Sequence, residues 1–205
     1  MSFTIIIIAV TCLVSFSAFN NRDIYNKLIL YPYGMSTPAE YYRLITSGFL
    51  HADIQHLLFN MFTLYFFGKN IEYVFQQISF AGLFLVLYLT GIVISSLPAM
   101  VKHRNHSYYM ALGASGGVSS ILFASVYYFP WARISFFGID ALAIPGIIFA
   151  VLYLAYSAYM DKKGNDNIGH DAHFWGAVYG FIFAFLVDPS HGRSFIDQLL
   201  HPSFQ

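Results

Sequence analysis

The chain carries little charge: 10 % of its 205 residues are Asp, Glu, Lys or Arg, against roughly 25 % in an ordinary soluble domain. Hydrophobic residues make up 58 % of the chain. A soluble protein of this size would leave much of that apolar surface in water, whereas a protein embedded in a bilayer presents it to lipid. The composition therefore indicates a polytopic membrane protein. The length indicates a single domain over residues 1–205.

Two further shortages exclude classes of partner and chemistry. The ten acidic and ten basic residues balance each other, so no basic excess points to a nucleic-acid partner. Cys12 is the one cysteine, which excludes an intrachain disulfide and a cysteine-based metal site. The chain has no H-E-x-x-H motif, and glutamate is nearly absent from its apolar segments. Zinc-protease chemistry would therefore lack its general base, and we predict no metal.

What the chain does contain is a series of long apolar segments. A helix needs about 20 mostly apolar residues to cross the hydrocarbon core, and six segments approach that length. Neither a preceding basic residue nor a following A-x-A-like site marks the first as a cleaved signal, so we interpret it as a retained span. The sequence predicts an all-α bundle of six transmembrane helices. The predicted spans are residues 3–19, 54–75, 78–97, 115–129, 141–160 and 168–187.

Four polar residues within these segments are candidates for function: His56, Asn60, Ser115 and His173. Such groups are costly inside a membrane and face the bundle interior or water. His56 and Asn60 are four residues apart, so they share one helix face. Two donors aimed at one point suit an oxyanion hole, although hydrogen bonding between helices is the simpler alternative.

Ser115 lies in Gly113-Ala114-Ser115-Gly116-Gly117, where a polar loop meets an apolar segment. A serine becomes a nucleophile when a neighbouring base takes its proton, and the start of a helix offers N–H groups to an oxyanion. Close helix packing is the more common reason for such small residues. The G-x-S-x-G pattern also matches the α/β-hydrolase elbow, but that elbow requires a strand–turn–helix, which the long apolar segments disfavour.

His173 precedes Gly176 by three residues, and Gly180 lies one turn further along the same helix face. The two glycines permit a neighbouring helix to approach closely. If that neighbour is the fourth span, Ser115 and His173 can pair as nucleophile and general base. A packed or water-facing histidine is the alternative. The remaining histidines that we considered are interpreted as loop or interfacial residues: His51, His103, His106, His170 and His191.

Taken together, these residues resemble the rhomboid family of intramembrane serine proteases. The segment from Arg43 to Ala52 is similar to the one that leads into the family's second span. Three motifs then follow in order, each on the expected span of a six-span chain. They are H-x-x-x-N at residues 56–60, G-x-S-G at residues 113–116 and A-H-x-x-G-x-x-x-G at residues 172–180.

The resemblance implies a role for each position. Ser115 would be the nucleophile and His173 the general base of a dyad. His56, Asn60 and the Ser115 backbone N–H would form the oxyanion hole, and Gly176 and Gly180 would hold the sixth span against the fourth. It also implies no cofactor and single-span membrane proteins as substrates. The expected location is a bilayer that the chain crosses several times, predicted to be the bacterial inner membrane.

One position departs from the family pattern. Many members carry an aromatic residue four positions after the serine, where it can stack on the base, and here that position is Ser119. Two other functions remain open from the residues alone. One is a catalytically silent rhomboid-like protein that binds or escorts membrane clients, although the presence of both Ser115 and His173 disfavours it. The other is a six-span transporter, whose polar residues should line a path across the whole bilayer.

Overall fold

The computed structural model describes residues 2–136, 139–163 and 169–202. The chain is predominantly helical, as predicted, with an additional short two-stranded antiparallel sheet. Its 3₁₀ turns are Pro32–Gly34, Pro38–Tyr42 and Ser47–Phe49. The elements are α1 (Phe3–Phe19), α2 (Arg22–Leu28), α3 (Arg43–Thr46), α4 (Ile54–Ile78), α5 (Gly82–His103), α6 (Ser115–Tyr128), β1 (Arg133–Phe136), β2 (Ile139–Pro145), α7 (Gly146–Lys163), α8 (His170–Val187) and α9 (His191–Leu200).

The predicted fifth span has the wrong start. Residues 141–145 belong to β2, which pairs with β1, and helix α7 begins only at Gly146. Hydropathy cannot separate this strand from the helix because both are apolar. Pro145 explains the boundary, since a proline disfavours helical geometry in the residue before it. The predicted sixth span begins in the structure at His170, and its first predicted residue, Ile168, lies outside the described residues.

Helix α6 lies at the centre of the bundle. Every residue from Gly116 to Tyr128 is buried, and α4, α5 and α8 surround the helix. Gly91 of α5 approaches it so closely that a Cβ there would meet the Ser120 side chain. A helix enclosed in this way does not contact lipid, which explains why its apolar pattern shows no single preferred face.

The contact between α6 and α8 depends on glycine. A Cβ added at Gly176 or Gly180 would meet backbone atoms of Gly116 or Ser120, closer than real Cβ atoms approach. The Ser120 hydroxyl also donates to the Gly176 carbonyl oxygen at 2.9 Å. The two backbones are therefore in direct contact, at the face that the spacing of these glycines predicts.

The one carboxylate of α4, Glu72, is satisfied by the start of α1. Its oxygens accept hydrogen bonds from the backbone N–H groups of Phe3 and Thr4 at 2.7 and 3.0 Å. The hydroxyls of Ser2 and Thr4 donate to it at 2.6 and 2.7 Å. The carboxylate thus supplies acceptors to N–H groups that a helix start leaves without partners. Its negative charge also interacts favourably with the positive end of the helix dipole. This contact docks α1 on α4.

Among the helices within the described residues, α5 alone is both long and apolar enough to cross a membrane by length and composition. Helix α1 is apolar but has 17 residues. Helix α6 has 14 residues and is thus about 21 Å long, shorter than the ~30 Å hydrocarbon core. The six-span prediction therefore corresponds to the observed helices in order and approximate position, but this criterion does not confirm it.

We predict that Gly180→Ala destabilises the bundle by about 1–3 kcal/mol, because the added methyl group forces apart two backbones that cannot yield locally. The apparent Tm in detergent measures the effect. Gly169→Ala is the matched control, since a Cβ there meets other atoms only at 3.8 Å. If Gly180→Ala were as stable as the control, the proposed importance of the helix contact would be wrong.

Candidate active site

Ser115 is the first residue of α6, directly after a turn that requires glycine. Gly113 has a φ of +122°, a conformation that other residues rarely adopt. Its N–H donates to the Ser47 carbonyl oxygen at 3.0 Å. The turn places Ser115 at the amino end of the helix, where N–H groups and the helix dipole favour negative charge.

His56 lies beside Ser115. A Cβ added at Gly113 would sit 2.8 Å from His56 Cε1 and 3.8 Å from Ser115 Oγ, so the imidazole and the hydroxyl border the same point in space. Asp53 caps α4 by accepting from the His56 backbone N–H at 2.8 Å. The capped first turn holds His56 at the end of α4 that adjoins Ser115.

Asn60 is one turn along α4 and is buried. Its Nδ2 donates a hydrogen bond to the His56 carbonyl oxygen at 3.0 Å. Because the amide nitrogen carries two hydrogens, this contact leaves one donor for another acceptor. The structure therefore brings His56 and Asn60 to one helix face, as their spacing predicts.

His173 is half-buried in the first turn of α8. The nearly parallel ring of Tyr153, from α7, lies 6.0 Å away between centroids. The Tyr153 hydroxyl is hydrogen-bonded to Ser119 Oγ at 2.7 Å. His170 meets His173 edge to face, with the ring centroids 5.9 Å apart.

These side chains border one cavity of about 1960 Å³, which α4, α5, α6, α7 and α8 enclose together with the loop before Ser115. Its lining includes Ser115, His173, His56 and Asn60. The four sequence-predicted polar residues therefore line one cavity, although they lie on three different helices. Each of them lies within the first two turns of its helix.

His51 supports the turn before Ser115, a role that the sequence did not reveal. It is buried, and its Nε2 accepts from the Ala114 N–H at 3.4 Å. Its Nδ1 lies 2.9 Å from Ser15 Oγ, and the Ser15 hydroxyl donates to the Phe49 carbonyl oxygen at 2.8 Å. This chain of bonds assigns the proton of a neutral His51 to Nδ1. Burial, followed by the charge of His56, lowers the pKa of His51 to about 3.

The first long loop is attached to the same turn. Leu30 and Ala111 exchange two backbone hydrogen bonds, at 3.1 and 2.9 Å. Arg43 closes the loop on itself by donating to the carbonyl oxygens of Asn26 and Ile29 at 2.7 and 3.0 Å. Residues 20–49 are consequently a structured support for the turn that carries Ser115.

His51 lies in a loop, as predicted, whereas the loop or interfacial interpretation is wrong for His170, which is buried at the start of α8. His51 and His170 are buried, His51 through the contacts just described and His170 through ring contacts with Tyr156 and His173. His103 and His106 lie beside each other, with their Nδ1 atoms 2.9 Å apart. Within the described ranges, no three His, Cys, Asp or Glu side chains form a group that could hold a metal ion.

Residues 38–190 match the sequence model of the Rhomboid domain. This match covers most of the chain and includes α4, α6 and α8, which carry the four candidate polar residues. The chain therefore belongs to the rhomboid family, whose members are integral membrane proteins.

Named relatives come from bacteria, plants and animals. The chain is 31 % identical over 157 residues to RHOMBOID-like protein 12, mitochondrial, of Arabidopsis thaliana, covering 68 % of this chain and 44 % of the relative. Putative rhomboid protease YdcA of Bacillus subtilis is 29 % identical, with 72 % and 68 % covered. Rhomboid protease GluP of the same organism is 28 % identical, with 89 % and 34 % covered. The chain thus spans between about a third and two thirds of the length of these curated relatives.

We predict that acid removes the stability that neutral His51 contributes to the fold. The ordinary histidine pKa is about 6.5, so between that pH and about 3 the unfolded chain binds more protons at this residue than the folded chain. The stability contributed by neutral His51 is complete above about pH 6.5 and is lost as the pH falls toward 3, by up to about 1.4 kcal/mol per pH unit. The apparent Tm in detergent should therefore fall between pH 7 and pH 4.5.

His51→Gln should be less stable than the wild type at pH 7 and should lose less stability on acidification. His201→Gln is the control, since this side chain is 77 % exposed, and it should keep the wild-type pH dependence. Equal pH dependence in His51→Gln and the wild type would contradict the assignment.

Proposed function

We propose that the chain is an intramembrane serine endopeptidase in which Ser115 is the nucleophile and His173 is its general base. The observation that carries this proposal is the shared cavity, which Ser115, His173, His56 and Asn60 all line. Backbone contact between Gly176 and Gly116 supports the pairing, because each glycine lies within three residues of one member of the dyad.

In the proposed reaction, Ser115 Oγ attacks the carbonyl carbon of the scissile bond while His173 takes the hydroxyl proton. The carbonyl oxygen becomes an oxyanion, to which His56, Asn60 and the Ser115 N–H donate hydrogen bonds. The C–N bond breaks as His173 returns the proton to the leaving amine, which leaves an acyl ester on Ser115. A water molecule, deprotonated by His173, then hydrolyses that ester and restores the serine.

The short length of α6 supports a substrate within the membrane. Helix α6 has 14 residues, so it is about 9 Å shorter than the hydrocarbon core. Its buried position allows the preceding loop to reach below the membrane surface, because irregular backbone at that depth is tolerated where it lines a cavity or contacts protein. The polar side chains that line the cavity beside Ser115 then give water access to the acyl ester.

The walls of the cavity support a transmembrane helix as substrate. Helices α4 and α7 supply apolar and aromatic lining, including Phe59, Phe62, Phe66 and Phe149. A single-span protein can contact such a surface from the lipid, and its peptide bond becomes accessible to Ser115 where small or helix-breaking residues let the helix unwind. The bacterial inner membrane stays a prediction, since relatives include bacterial, mitochondrial and chloroplastic proteins.

We predict that Ser115→Ala and His173→Ala each lower cleavage of a model single-span substrate by at least about 10³-fold, because neither half of the dyad acts alone. Cleavage is measured with purified protein in liposomes. The controls Ser190→Ala and His201→Ala remove the same side chains far from the cavity and should cleave as the wild type does.

A fluorophosphonate probe separates the protease from a silent binding protein. Wild-type Ser115 should be labelled, and Ser115→Ala should not be. Substrate capture with neither labelling nor cleavage would support the silent, client-binding alternative. Undiminished cleavage by correctly folded Ser115→Ala would falsify the proposed nucleophile.

We predict that Asn60→Ala lowers kcat by about 10²-fold with little change in KM, because an oxyanion donor acts mainly in the transition state. Thr63→Ala is the control, because Thr63 lies one turn further along α4 and also borders the cavity. It tests whether removing any polar side chain from this helix lowers kcat in the same way. An equal fall in kcat for Thr63→Ala, or a change confined to KM for Asn60→Ala, would argue against the oxyanion role.

A further inference from the structure

The imidazole of His173 has a neighbour that the proposed mechanism does not yet use. The ring of Tyr153, on α7, lies 6.0 Å from the His173 ring between centroids and is inclined to it by 24°. Aromatic rings attract each other in such offset, near-parallel arrangements at centroid separations of about 4.5–7 Å. The contact restricts rotation of the imidazole on the side that faces α7.

Tyr153 is itself fixed to the helix that carries the nucleophile. Its hydroxyl and Ser119 Oγ are 2.7 Å apart, and Ser119 is buried. Ser119 follows Ser115 by four residues, so the two serines lie on one face of α6, one turn apart. The ring packs between Phe123 of α6 and Phe149 of α7, at centroid distances of 5.6 and 5.5 Å.

We propose that Tyr153 is the positioning residue of His173. Ser119 fixes the Tyr153 ring to α6 by a hydrogen bond, one turn from Ser115. The inference rests on the proposed protease function and explains how the base is oriented although position 119 is not aromatic. A continuous path runs from Ser115 along one turn of α6 to Ser119, across to Tyr153 and on to His173. The distance between nucleophile and base is thus constrained through side chains as well as through the α6–α8 contact.

The ring also suits the protonated base. When His173 has taken the serine proton it carries a positive charge, and the face of a tyrosine attracts a cation within about 6 Å of its centroid. The contact is therefore stronger in the transition state than before proton transfer. An interaction of that kind raises kcat rather than substrate affinity.

The test compares Tyr153→Leu, which removes the ring, with Tyr153→Phe, which keeps the ring and removes only the hydroxyl. We expect kcat for liposome cleavage to fall about tenfold in Tyr153→Leu and about two- to threefold in Tyr153→Phe, with KM within about twofold of the wild type. The rate of fluorophosphonate labelling of Ser115 should fall in the same order. Tyr159→Leu makes the same change on α7 at an exposed position and should leave both rates unchanged.

A double-mutant cycle tests the path through Ser119 and does not depend on the folding of Tyr153→Leu. Ser119→Ala and Tyr153→Phe delete opposite ends of one hydrogen bond, so the double variant should lose no more kcat than the larger single loss. Additive losses would overturn the proposed path, and a wild-type kcat in folded Tyr153→Leu would overturn the role of the ring. If Ser115→Ala is inactive, either of these two results leaves the protease proposal intact. Full activity of Ser115→Ala would overturn both the protease proposal and the role of Tyr153.

Discussion

Direct backbone contact between α6 and α8 is the constraint on which the site depends. Gly176 and Gly180 have no side chain to separate the helices, and the Ser120 hydroxyl bridges them by donating to the Gly176 carbonyl oxygen. In a lipid environment, apolar side chains gain little from contacting each other rather than lipid, so close packing and buried hydrogen bonds drive helix association. The same contact brings the helix of His173 against the helix of Ser115, so one feature both holds the bundle together and assembles the site.

Polar groups around the cavity are organised as supports for one turn of chain. His51 accepts from the Ala114 N–H, Ser47 accepts from the Gly113 N–H, and the first loop is hydrogen-bonded to Ala111. Each contact gives a backbone N–H group a hydrogen-bond partner. Without a partner, that group would be costly to bury in a low-dielectric interior. Together they fix the amino end of α6, whose free N–H groups could stabilise the oxyanion of the proposed reaction.

Much of the fold and site could be predicted because the relevant signals are local. The first apolar segment coincides with α1, and Ser115 begins α6 as its flanking glycines indicate. The spacing of His56 and Asn60, and of His173, Gly176 and Gly180, fixes which residues share a helix face. The start of α7 and the additional strands were missed, because an apolar strand that runs into an apolar helix gives a single hydropathy peak.

The sequence by itself determined the order of the helices, the family and the residues able to carry chemistry, because composition, spacing and motifs are properties of neighbouring residues. Only the tertiary structure decided which side chains meet. Ser15 bonds His51 across 36 residues of chain, and Ser119 bonds Tyr153 across 34. Neither pair has a periodic signal, since each joins two elements that are distant in the sequence. Ser119 is the clearest example. The sequence shows only that position 119 is not aromatic, whereas the fold places the ring of Tyr153, from α7, beside His173.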